Sequence, residues 1–155
     1  MKSLLSIAVL TLGLALPARA AIHTETVAYK QGDVTLKGFL AYDDVSKAPR
    51  PGVLVVHEWW GLNDYARHRA EMLAKEGYVA FAVDMYGEGK TTTHPETAGE
   101  WAGAVGKNKD VAKARFLAAR EVLAKNPRTK PGAIAAIATA SAAARSSAWR
   151  SRGST

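Results

Sequence analysis

Two short runs carry the residues best placed to do chemistry: His57-Glu58-Trp59-Trp60-Gly61-Leu62-Asn63 and Asp84-Met85-Tyr86-Gly87-Glu88-Gly89-Lys90. Each follows an apolar stretch, so each falls where a strand ends and a side chain can leave the sheet. Glu58 is the carboxylate at the first of these ends, where it serves either a reacting group or a surface ion pair. His57 lies within the apolar stretch and reads as a hydrogen-bonded core histidine rather than a base. His68 falls on the outer side of a helical pattern, His94 lies in a polar loop, and His23 lies near the N-terminus, so no histidine is well placed as a general base. The side chains of Trp59 and Trp60 read as caps on the core. Lys90 reads as a solvated lysine that can also meet an anionic group. The chain contains no cysteine, so it has no disulfide framework and must be held by its core alone. No cofactor and no metal is expected.

The elements that must position these residues follow from periodicity. Residues 24–29 and 34–42 alternate apolar with polar side chains on either side of Gln31-Gly32-Asp33, the pattern of an antiparallel hairpin. Residues 52–57 form a continuous apolar run, as in a strand covered on both faces. Residues 63–75 carry Ala66, Ala70, Leu73 and Ala74 at helical spacing, with Gly77 as the stop, and residues 78–83 complete a strand–helix–strand unit. A weaker helix is expected over residues 95–106. A stronger one is expected over 110–125, with Val111, Ala114, Leu117, Ala118 and Val122 as its apolar stripe. Residues 126–132 read as a loop and 133–137 as a further buried strand. Strands alternating with helices predict an α/β protein: a mostly parallel sheet, helices on both faces, and an N-terminal antiparallel hairpin.

Residues 1–20 have the form of a secretory signal peptide, with Lys2 at the charged start, an apolar run from Leu4 to Leu16, and Ala18-Arg19-Ala20 as a small-x-small cleavage site. The apolar run is shorter than the roughly 20 residues a membrane span requires. Cleavage and a secreted or periplasmic location are expected, with no membrane attachment afterwards. The net charge of +7 does not point to nucleic acid. Lys2 and Arg19 leave with the signal, and Arg145, Arg150 and Arg152 lie near the C-terminus. The remaining basic residues nearly balance the 14 acidic ones and form no stripe with aromatics.

Residues 53–90 resemble the dienelactone hydrolase family of α/β-hydrolases. The resemblance rests on a strand ending in His57-Glu58-Trp59-Trp60-Gly61-Leu62-Asn63, a helix ending in Lys75-Glu76-Gly77-Tyr78, and a strand ending in Asp84-Met85-Tyr86-Gly87. The same order and spacing hold from 24 to 137, so residues 21–137 are expected to be the N-terminal part of a dienelactone hydrolase-like domain, an incomplete α/β-hydrolase fold. The resemblance implies a cysteine–histidine–aspartate triad that hydrolyses small esters or lactones, with the cysteine on a tight Gly-x-Cys-x-Gly turn. It also implies that Glu58 holds the resting thiol and that the backbone N–H of Trp59 contributes to the oxyanion hole. Well-known family members carry an arginine two residues after the tyrosine of Asp-x-Tyr. Here that position is Glu88, so a chloroaromatic-pathway substrate is not implied.

After residue 137 the resemblance implies Gly-Tyr-Cys-Phe-Gly-Gly, but the chain has Ala138-Thr139-Ala140-Ser141-Ala142-Ala143, with Ala140 at the nucleophile position. The codons GGC TAC TGC TTC GGC GGC, less one G, regroup as GCT ACT GCT TCG GCG GC and encode Ala-Thr-Ala-Ser-Ala-Ala. Residues 138–155 are therefore expected to be an out-of-frame tail. On this reading the intact relative takes a small-molecule ester or lactone, while this chain lacks nucleophile, aspartate and histidine and is inactive. The competing reading is a non-catalytic exported binding module using the loops around Trp59, Trp60 and Glu88.

Overall fold

The computed structural model describes residues 21–45 and 47–138. The expected signal peptide, and the expected tail from residue 139 on with Ala140, lie outside the described residues. β1 (Ile22–Gln31) and β2 (Val34–Asp43) form the antiparallel hairpin, turning at Gly32 with φ 57°. Next come β3 (Arg50–Val56), α1 (Asp64–Lys75) and β4 (Val79–Val83). They are followed by α2 (Pro95–Lys107), α3 (Lys109–Lys125) and β5 (Thr129–Ala138). The strands lie in the order β1-β2-β4-β3-β5. β4, β3 and β5 run parallel, and β2 joins β4 antiparallel, so the hairpin extends a parallel αβ unit.

Strand periodicity divides the core between the two sheet faces. On β4, Val79, Phe81 and Val83 join Leu36, Leu40, Leu54, Ala119 and Leu123 on the α3 side. The alternate residues Ala80 and Ala82 join Phe39, Ala41, Val55 and the α1 residues Ala66, Ala70 and Ala74 on the other. α1 therefore meets the sheet through alanines spaced four apart, whereas α3 meets bulky side chains. Asn63 starts α1: its backbone is extended, and its side-chain Oδ1 accepts from the Ala66 N–H at 3.2 Å, a cap worth about 1 kcal/mol.

Three local expectations shift. The buried face of α3 is Phe116, Ala119 and Leu123 with Ala118 and Val122 beside them, while Leu117 is 48% exposed. Hydrophobic residues occur all round this helix, so composition alone did not select the stripe that Leu123 and Phe116 anchor. β5 begins at Thr129 rather than within 133–137. Thr129 pairs with Arg50 and Ile134 with Gly52, and the intervening irregularity holds Pro131 where no ladder N–H is needed. His57 lies just beyond β3 rather than inside it, as the first residue of the turn that follows. Among the described residues β5 is a sheet edge, and Ala135 and Ala136 on it are exposed.

Candidate active site

β3 and β4 run parallel and end side by side, which brings the two sequence runs together. His57 locks them to each other. Its Nδ1–H donates to the Glu58 carbonyl at 2.5 Å, and its Nε2 accepts from the Met85 backbone N–H at 3.2 Å. Both ring nitrogens are used in the neutral form, which settles the core role over that of a base. The ring is buried and meets Tyr86 edge-on at 4.8 Å. Tyr86 in turn donates its hydroxyl to the Trp59 carbonyl at 2.9 Å, a second tie between the two turns.

Burial pushes the His57 imidazole below its usual 6.5, ahead of the opposing pull of the Glu58 carbonyl and the Asp84 charge. A depressed histidine pKa means that the unfolded chain takes up this proton first. The contribution to stability is therefore whole above about pH 6.5 and is lost as the pH falls below it, until the folded form protonates too. Protonation of Nε2 would also cost the Met85 N–H its acceptor. Thermal melts from pH 8 to pH 5 should show falling stability, and His57→Gln should flatten that dependence while lowering stability at pH 8.

Glu58 and Trp59 occupy this turn together. The Glu58 carboxylate is half-buried and has no ion-pair or hydrogen-bond partner among the described residues, so the surface ion pair is not what holds it. The backbone N–H of Trp59 likewise donates to nothing among the described residues. The two tryptophan rings do not cap the core: Trp59 is 38% exposed, the rings lie 4.7 Å apart, and neither joins a core cluster. Gly61 closes the turn with φ 86°, and a Cβ there would meet the Lys90 carbonyl at 2.1 Å. Only glycine permits that approach between the two runs.

Asp84, which the motif names without a role, organises the second run. Its buried carboxylate accepts from the backbone N–H groups of Lys37 (2.9 Å), Tyr86 (3.0 Å), Gly87 (2.8 Å) and Gly89 (2.7 Å). The signal available was an aspartate at a strand end ahead of two glycines, a loop that an Asx-type carboxylate can fasten. Glu88 is turned outward with φ 56° and pairs with Lys37 at 3.1 Å. His68 is exposed 3.9 Å from Glu71, His94 is exposed ahead of α2, and His23 stacks on Tyr42. Between Trp60, the start of α1 and the Thr91–Thr93 loop lies an open cleft of about 780 Å³, lined also by Arg67 and His94. Among the described residues no three His, Asp or Glu side chains gather as a metal site, and no helix is long and apolar enough to cross a membrane.

This sheet, with helices on both faces and polar turns gathered at the ends of its parallel strands, is an α/β-hydrolase fold. The sequence model of the dienelactone hydrolase family matches residues 36–138, and the chain belongs to that family. It is 39% identical over 79 residues to "Protein usf" of Aquifex pyrophilus, an alignment covering 49% of this chain and 32% of the relative. It is 38% identical over 79 residues to the "Putative carboxymethylenebutenolidase" of Aquifex aeolicus, with the same shares covered. A crystal structure of a dienelactone hydrolase-like promiscuous phosphotriesterase from metagenomic libraries superposes with a TM-score of 0.73 at 30% identity, covering 76% of this chain and 49% of that one. The chain thus spans about a third of these curated relatives and about half of that solved structure.

Proposed function

We propose that this sequence derives from an exported hydrolase of small esters or lactones, in which Glu58 and Trp59 serve the reaction, and that the 155-residue chain itself does not turn over. The observation that carries the site is the turn after β3, which presents an unpaired carboxylate and an unspent backbone N–H side by side where parallel strands end. In the intact enzyme a thiolate, its proton passed to the triad histidine, would add to the acyl carbon, and the carbonyl π electrons would move onto oxygen before returning to expel the alcohol, which takes up that proton. The Trp59 N–H would then donate to that oxyanion, a contact of a kind whose loss costs roughly 10²–10³ in rate. Glu58 would accept the thiol proton's hydrogen bond at rest.

The sequence contains no cysteine, and oxyanion donors without a nucleophile leave only weak catalysis. The full chain is expected to release p-nitrophenol from p-nitrophenyl acetate no faster than buffer. Release that scales with protein and survives repurification would overturn the inactive reading. The support for a shifted frame is the codon regrouping at 138–143, and sequencing of the locus tests it: codons from which no single-base restoration yields Gly-Tyr-Cys-Phe-Gly-Gly would sink it. Export rests on the form of residues 1–20, and N-terminal sequencing of the periplasmic product should begin at Ala21. Binding without catalysis keeps only one of its three contacts at the cleft: Trp60 lines it, Trp59 does not, and Glu88 is paired with Lys37.

A further inference from the structure

A second, smaller hollow lies on the other side of Tyr86. It measures about 210 Å³ and is lined by Tyr86, Lys90, Trp101, Asn108 and Arg115, with small apolar side chains of α2 and α3 between them. Its polar groups are nearly all donors. Arg115 gives one terminal nitrogen, Nη1, to the Met85 carbonyl at 2.6 Å, which fixes the guanidinium, while its Nη2 has no partner among the described residues. Asn108 spends its Oδ1 on the Val111 N–H at 3.1 Å as the cap of α3, so its Nδ2 donors remain. Lys90 holds its ammonium 6.0 Å from the centre of the Trp101 ring and has no carboxylate partner among the described residues. No aspartate or glutamate lines the hollow; Asp110, in the first turn of α3, is exposed and points its charge to solvent rather than into the lining.

We propose that this hollow is a binding subsite for a small organic anion, a carboxylate or phosphate carried on an apolar or aromatic body, with Lys90 and Arg115 as its charge partners and Asn108 as a neutral donor. Three features set the class. Two cations with no carboxylate in the lining favour an anion in the hollow, and a guanidinium held in place loses little freedom on binding it. The start of α3 adds the positive end of a 17-residue helix. The Tyr86 and Trp101 rings, edge to face at 5.6 Å, offer an aromatic wall rather than a polar one. The volume is below the roughly 300–1,000 Å³ of sites that take a whole ligand, so the subsite holds one end of a molecule. Tyr86 is the shared wall: one face of the subsite is the ring whose hydroxyl reaches the Trp59 carbonyl. The anion would thus lie one side chain away from the turn that carries Glu58.

The proposal concerns binding and is tested without hydrolysis, so that a failed esterase reading and a failed subsite give different results. Benzoate, phenyl phosphate and the neutral benzamide are titrated calorimetrically into the full chain at low ionic strength. Saturable binding of benzoate or phenyl phosphate but not benzamide, weakened with salt and weakened about tenfold or more by Lys90→Met, is the expected result, and the tighter anion names the source. Lys90→Arg should restore most of the affinity. Arg115→Met should abolish binding, but it also removes the Met85 contact, so exposed Lys90 carries the decision. Absence of saturable binding by both anions, equal binding of benzamide, or unchanged affinity in Lys90→Met overturns the subsite.

Discussion

Asp84→Ala is expected to be among the most destabilising substitutions in the chain, by about 4 kcal/mol or more. Four backbone N–H groups, one from β2 and three from the loop after β4, converge on this one carboxylate, and each buried donor left without an acceptor costs about 1–3 kcal/mol. Some of the four would reach water after relaxation, which is why the sum is not the full product. Asp84→Asn separates number from charge: an amide offers one acceptor oxygen, so it keeps at most the pair on one side and should cost about half as much. Urea unfolding followed by circular dichroism measures both. A midpoint change of less than about 1 kcal/mol equivalent for Asp84→Ala would show that the loop holds itself without its carboxylate.

Phe81→Ala is the second large effect, expected at about 3–5 kcal/mol. Phe81 is fully buried in the central strand β4 and meets Tyr29 edge-on at 5.6 Å. Its ring lies directly on the backbone of β2 at Gly38, where an added Cβ would come within 2.2 Å of the ring tip. The space left by the ring is bounded partly by strand backbone, which cannot collapse as side chains can, so the upper half of the range is expected. The same contact gives a control. Gly38→Ala should be strongly destabilising in the parent and much less so, or favourable, in Phe81→Ala, because the new methyl then enters the vacated space. A double-mutant cycle reads the coupling directly, and additivity of the two changes would contradict this packing.

The parallel unit was legible because its signals were local: a continuous apolar strand, alanines at helical spacing closed by Gly77, and a second apolar strand all appear as such in residues 52–83. The family motif lay in the same stretch, so Glu58 and Trp59 could be placed at one turn before any geometry was seen. What was illegible depended on contacts between distant segments. The role of Asp84 is one such case: three of its donors lie within five residues of it, but the fourth, the Lys37 N–H, reaches it only because β2 lies beside the 84–89 loop. Arg115 lies in a helix with many exposed charges, and only its tie to the Met85 carbonyl brings it beneath Tyr86. The α3 stripe was misread by one residue because its alanines fit either rotation, and the large side chains Phe116 and Leu123 decide between them only when the sheet is present.

The unequal sheet faces also set how the molecule should breathe. On the α1 side the helix contributes the methyl groups of Ala66, Ala70 and Ala74, while the α3 side holds Leu123 and Phe116 against Phe81, Leu54 and Leu36. At about 0.8 kcal/mol per buried carbon group, the first helix has far less to lose on leaving the sheet than the second. Of the two helices that cover the sheet, α1, which adds only the partly buried Leu73 to those alanines, is thus the cheaper to detach while β4 and α3 remain docked. Hydrogen exchange should show this as faster amide exchange in residues 66–74 than in 116–123. The hinge of that opening would be the Gly61–Asn63 segment, so the large cleft beside Trp60 is bordered on one side by the less firmly held of the two helices on the sheet.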